Sequence, residues 1–218
     1  MTLDNGRLHG TEVEQFYTQN IYKPEGTQHP KLIVLHLTAG VAKNAHDWCM
    51  HRGSDSSFHL LVLNDGTVRQ YAGFHQKCMH VGVGWHPAHG WWPNNWSVGI
   101  EFENPGPMTL TSEGPKTWRG DIHKGGGVFH GSGTFDKDGP LRGWVQITQP
   151  QYAAGIEICK LLIGSETCES DIVGHDFLSS TAIRALAVEQ KVWHSLREGK
   201  LDPGPAINME YFINEVGS

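Results

Sequence analysis

The chain has 218 residues, with 23 Asp and Glu against 17 Lys and Arg, a net charge of −6 and 38% hydrophobic residues. One globular domain with a sizeable core is the expectation, and the lack of any Lys/Arg cluster longer than two argues against a nucleic-acid partner. No stretch approaches the length of a membrane span. The opening MTLDNGRLHGTEVEQFY is acidic and polar where a signal peptide needs an apolar run, so cytoplasmic synthesis without a standard export signal is expected.

Residues 1–30 are polar and carry Pro and Gly, and they read as an arm over the domain with one weak helix near Glu12–Gln19. Residues 31–37 are β-branched and apolar, the pattern of a buried strand. AHDWCMHR (45–52) predicts a short helix. SSFHLLVLNDGTVRQYAG (56–73) predicts a hairpin, because two apolar runs flank Asn64-Asp65-Gly66. WSVGIEFEN (96–104) is a further strand, bounded by Pro93-Asn94-Asn95 and Pro105-Gly106-Pro107.

Residues 105–147 are rich in Gly, Ser and Lys and read as a long excursion, of a length that is usually functional or mobile. Thr148 caps a helix that begins near Pro150 and buries Tyr152, Ile156, Cys159 and Ile163. SDIVGH (170–175) is a strand. A helix over Thr181–Arg197 follows, with Gly199 as its C-cap. Strands interleaved with helices predict an α/β domain with a mixed central β-sheet, flanking helices and long loop insertions. Cys49, Cys78, Cys159 and Cys168 form no CxxC pair and are expected to be reduced thiols.

His36 and His175 each end an apolar run, and Asp202 lies in the stiff turn GKLDPGP (199–205). Two imidazoles and one carboxylate suffice to hold a zinc ion with one position left for water, the mark of a catalytic rather than a structural site. The HExxH helix of common metalloproteases is absent. In the alternating strand 96–104, Glu101 faces away from Ile100 and Phe102 and so is able to face the ligands. Lys200 lies two residues before Asp202. The segment GWHPAHGWWPNNW (84–96) holds four tryptophans, which either stack on sugar rings or cover the core. Trp91 and Trp92 are the expected exposed pair.

LIVLHLTAG, FHLLVLNDGTVRQYAG, MHVG, SVGIEFEN, IVGH and KLDPGP occur in the order found in zinc-dependent N-acetylmuramoyl-L-alanine amidases, and the chain resembles that family over about residues 31–104 and 170–206. The family includes phage-type lytic enzymes, cell-wall-recycling enzymes and peptidoglycan-recognition proteins. The resemblance implies zinc ligands at His36, His175 and Asp202, a catalytic Glu101, an oxyanion-stabilising Lys200, and His80 near the substrate. It implies hydrolysis of the amide between N-acetylmuramic acid and L-alanine, in the wall or in imported wall fragments. The alternative is a recognition domain that binds peptidoglycan without cutting it. Three departures stand out: Leu37 where the family often has His or Tyr, a helix between His175 and Lys200, and the long 105–147 segment. One amidase domain spanning 1–218 is expected, as a monomer, with an arm at 1–30, insertions at 105–147 and 176–199, and peptidoglycan or muropeptides as partners.

Overall fold

A computed structural model describes residues 1–22, 29–130, 142–169, 171–195 and 199–218. Its centre is a six-stranded mixed sheet in the order β14-β4-β9-β5-β6-β3. These strands are β3 (Val13–Gln15), β4 (Leu32–Leu37), β5 (Leu60–Val62), β6 (Val68–Gln70), β9 (Ser97–Phe102) and β14 (Asp171–Gly174). β14, β4, β9 and β5 run parallel, β5 and β6 form the expected antiparallel hairpin, and β3 lies parallel to β6 at the edge. A first hairpin, β1 (Thr2–Asp4) with β2 (Arg7–His9), precedes β3. The pair β7 (Trp85–His86) and β8 (Gly90–Trp91) sits between β6 and β9 in sequence.

The helices are α1 (Ala42–Met50), α2 (Gln149–Gly164), α3 (His175–Leu178), α4 (Thr181–Glu189) and α5 (Met209–Gly217). None is long and apolar enough to cross a membrane. α2 begins with a full capping box: Thr148 accepts from the Gln151 N–H, and the Gln151 side chain accepts from the Thr148 N–H. Its buried face carries Tyr152, Gly155, Ile158, Cys159 and Leu162. Ile156 and Ile163 of the expected stripe are only partly buried at its margin.

Strand pleating decides which residues reach which face. Ile33, Leu35 and Leu37 of β4, with Val98, Ile100 and Phe102 of β9, pack with α2 and with Phe212 of α5 in the main core. Burying each large side chain there contributes roughly 1.5–3 kcal/mol. The alternate residues turn the other way. Leu32 and Val34 meet Val81 and Leu178 on that face, and His36 and Glu101 share it.

Three expectations are corrected. Residues 12–19 hold no helix: Val13–Gln15 pairs with β6, and the Phe16 N–H continues the ladder to the Gln70 carbonyl at 2.7 Å. An available sheet edge overrides a weak local preference. The described part of 105–147 is not a bare excursion, since β10 (Met108–Thr111), β11 (Gly114–Lys116), β12 (Phe129–His130) and β13 (Arg142–Trp144) build a second sheet ordered β11-β10-β13-β12. Trp144 and Met108 are fully buried and tie it to the domain. α4 stops at Glu189 instead of Arg197. Lys191 adopts φ +58° and the Val192 N–H bonds back to the Ala187 carbonyl at 2.9 Å, a left-handed close of the helix.

Candidate active site

Three separate elements deliver the polar cluster. His36 stands near the end of β4, His175 opens α3 directly after β14, and Asp202 sits in the turn before α5. In the parallel register Gly174 pairs with Leu35 and His36 pairs with Glu101. The Asp176 N–H donates to the Asp202 carbonyl at 2.7 Å and so joins the turn to α3.

His36 Nδ1 and His175 Nδ1 are 3.0 Å apart, and Asp202 Oδ2 lies 3.4 Å from the first and 3.2 Å from the second. Both histidines are buried. The other nitrogen of each ring is engaged. His175 Nε2 donates to the Val81 carbonyl at 3.1 Å. His36 Nε2 is 2.9 Å from His80 Nδ1, and His80 Nε2 is 3.1 Å from Ser97 Oγ. Ser97 itself donates to the Pro93 carbonyl at 2.7 Å. Read from that carbonyl, the chain leaves Ser97 Oγ as acceptor for His80 Nε2–H, and His80 Nδ1 as acceptor for His36 Nε2–H.

Both Nδ1 atoms are therefore bare lone pairs, aimed at each other and at a carboxylate oxygen. Such a triangle is repulsive until a cation joins it. Donors at about 2.0–2.1 Å from a tetrahedral zinc stand roughly 3.3 Å apart, so the observed triangle fits that ion. Among the described residues this is the one His/Cys/Asp/Glu group of metal-binding proportions. Burial, and next the neighbouring His175, push His36 down to about 4. It is thus neutral at pH 7, the form that coordinates metal.

Glu101 is pushed up to about 8, chiefly by burial, with the Asp202 charge adding and Lys200 opposing. Its Oε2 is buried without a hydrogen-bond partner among the described residues. Glu103, by contrast, accepts from the Ala42 N–H at the start of α1, at 2.8 Å. Lys200 is exposed, and its backbone N–H donates to the Ser179 carbonyl.

Two cavities open beside the cluster. One of about 910 Å³ is bordered by His80, Val81, Trp92, Arg184, Trp193 and Lys200. The other, of about 340 Å³, is bordered by Thr38, Trp48, Phe58, Glu101, Trp118 and Arg119. Trp92 reaches the larger cavity, whereas Trp91 lines neither. It is half-buried on β8, paired across the hairpin with Trp85. His80 borders the larger cavity, but both of its ring nitrogens are committed to His36 and Ser97. Sequence reasoning did not single out Ser97, Val81, Trp193, Trp48, Trp118 or Arg119. The last two lie in the Gly-rich segment, where only an isolated aromatic marked them.

The model of one protein family, described as N-acetylmuramoyl-L-alanine amidase, matches residues 26–205. The chain belongs to the N-acetylmuramoyl-L-alanine amidase family. No curated protein matches it in sequence. Among solved structures, an AmpD derivative is 19% identical with a TM-score of 0.57, covering 99% of each chain. The amidase AmiD from E. coli, in complex with its substrate anhydro-N-acetylmuramic acid-L-Ala-D-γ-Glu-L-Lys, is 17% identical with a TM-score of 0.56. That match covers 89% of this chain and 60% of AmiD. The amidase LysC from Clostridium intestinale is 13% identical with a TM-score of 0.51, covering 94% of this chain and 97% of LysC. At these identities the likeness establishes the amidase fold: a mixed six-stranded sheet with flanking helices.

Proposed function

We propose that this chain hydrolyses the amide between the lactyl carboxyl of N-acetylmuramic acid and L-alanine, with His36, His175 and Asp202 holding a zinc ion. The observation that carries the reading is the triangle of two bare imidazole nitrogens and a carboxylate oxygen, 3.0–3.4 Å on a side, next to a glutamate whose buried Oε2 has no hydrogen-bond partner among the described residues. Zinc bound there would supply Lewis acidity, lowering the pKa of a water to about 7 and polarising the carbonyl.

The chain's own residues do the rest. Glu101, the register neighbour of His36, takes the proton from the attacking water and passes it to the departing amine. Its raised pKa suits a group that must both accept and release a proton near neutrality. Lys200 offers a point charge to the developing oxyanion. His80, Ser97 and the Val81 carbonyl fix the ring orientations and tautomers of the two histidines. The balance is simple: water adds across the amide, a carboxylic acid remains on the lactyl group, and the free amine of L-alanine leaves with the proton from Glu101. A muropeptide or peptidoglycan strand is the substrate, a reading supported by the family and by the substrate held in the AmiD structure.

Mass spectrometry of muropeptide digests is the test. Stem peptides with a free L-alanine amino terminus and an intact glycan are expected. Cleavage between sugars or within the peptide would sink the assignment. Binding without any cleavage by zinc-loaded protein would move it to a recognition domain.

A further inference from the structure

The two histidines of the metal triangle are oriented from one short stretch of backbone. His36 Nε2 lies 2.9 Å from His80 Nδ1, and His175 Nε2 donates to the carbonyl of the next residue, Val81, at 3.1 Å. His80 and Val81 belong to no strand or helix. Gly82 follows at φ +67°, in the left-handed region that favours glycine, so the chain turns away directly after the pair. A metal site needs its ligands held to a fraction of an ångström, and here no ladder of backbone bonds supplies that precision.

A side chain does so instead. Asn94 Oδ1 accepts from the His80 N–H at 3.1 Å and from the Val81 N–H at 2.8 Å. Two N–H groups face one atom, so that atom is the carboxamide oxygen and not the nitrogen. Asn94 stands in the short turn Pro93–Asn95, close before β9. The points on either side are fixed independently. The Met79 N–H donates to Ser57 Oγ at 2.9 Å, and the Met79 carbonyl accepts from the Ser57 N–H at 3.0 Å. The Val83 carbonyl accepts from Ser179 Oγ.

We propose that Asn94 is the positioning residue for both histidines, acting on His36 through His80 and on His175 through Val81. The proposal deepens the metal reading above and rests on it. One oxygen places the His80 ring, which takes the His36 proton, and the Val81 carbonyl, which takes the His175 proton. Ser97 reaches the His36 branch through the His80 ring, at 3.1 Å from His80 Nε2. Asn94 reaches both branches, because the two acceptors sit on consecutive residues that it clamps together. Without it, two N–H donors lose their acceptor and the pair is free to re-aim. Both Nδ1 lone pairs then lose the fixed direction that a metal requires.

Zinc competition titrations and histidine NMR of the full chain test the clamp. Asn94→Ala, and Asn94→Leu with its similar volume, should lower zinc affinity about 10–100-fold. Asn94→Asp keeps an acceptor oxygen in place and should bind zinc as wild type does. Solvent exchange of the His36 and His175 ring Nε2–H protons is the second readout. Loss of the Asn94 oxygen should speed both by about tenfold or more, whereas Ser97→Ala should speed that of His36 alone. Melting curves show which variants are folded. A merely structural asparagine would lower the melting temperature and leave zinc affinity and ring exchange unchanged well below the melt. That result in a folded Asn94→Ala or Asn94→Leu would overturn the proposal. So would a response from one ring only, or an Asn94→Asp as weak as Asn94→Ala. A wild type that takes up no zinc would remove the metal reading instead, and ring exchange in the metal-free protein would then decide the clamp by itself.

Discussion

Glu101→Gln separates chemistry from stability, because the same burial that tunes the carboxyl strains the fold. The folded carboxyl is pushed to about 8 from an ordinary value of 4.5. Its pKa is raised, so the favourable contribution is complete below 4.5 and is lost as pH climbs toward 8. At pH 7 the interval above 4.5 is about 2.5 pH units, and at roughly 1.36 kcal/mol per unit this is at most about 3 kcal/mol. Glutamine keeps the shape but never ionises, so the variant does not suffer that loss. Urea unfolding of chelator-treated wild type and variant, at pH 5 and pH 7.5, reads the difference directly. The variant should gain relative stability between the two values, by up to about 3 kcal/mol. The zinc-loaded variant should lose about 10²–10⁴-fold in turnover with its metal content unchanged. A stability difference that is the same at both pH values would refute the burial argument. Near-wild-type turnover would refute the base assignment.

His36→Ala should abolish zinc binding and activity together, while His9→Ala, at an exposed site on β2, should alter neither by metal analysis and assay. His80→Ala should weaken zinc affinity about 10–100-fold in a competition titration, since it removes the acceptor that holds His36 in its coordinating tautomer. Gly99→Ala places a methyl 2.6 Å from His80 Cγ and should cut zinc affinity as well, without any charge being changed. Gly155→Ala sets a methyl 2.8 Å from the Phe102 ring and 3.1 Å from Phe212, in the seam between α2, β9 and α5. It should lower stability by about 1–3 kcal/mol in denaturant melts while leaving zinc stoichiometry intact.

The central sheet was legible because its signals are local. The apolar run at 31–37, the Asn64-Asp65-Gly66 turn and the alternation around Glu101 each name their own structure within a few residues. His36, His175 and Asp202 were legible as a set because each sits at the end of such an element, where the sheet delivers side chains to one place. What stayed hidden depends on partners far along the chain. β3 forms only because β6 offers an edge. The small sheet of the 105–147 segment is made of strands of two to four residues that pair with one another across a glycine-rich sequence. Trp91 and Trp92 are adjacent in sequence, yet one lies on β8 and the other at a left-handed residue just after it. No periodicity distinguishes them.

The tautomer chain shows the same limit at the level of single protons. His36, His80 and Ser97 are linked across separations of 44 and 17 residues, and His175 meets Val81 across 94. Sequence could name the two histidines whose type and position suit a metal, but not which nitrogen each would offer. For His175 that choice is made by the Val81 carbonyl, and for His36 by a serine hydroxyl whose own proton is spent on the Pro93 carbonyl, in the segment that also carries the tryptophans. The loop that borders the larger cavity and the network that orients the metal cluster are therefore one structure. A change in how Pro93–Ser97 folds would reach His36 through His80 before it touched any bound sugar.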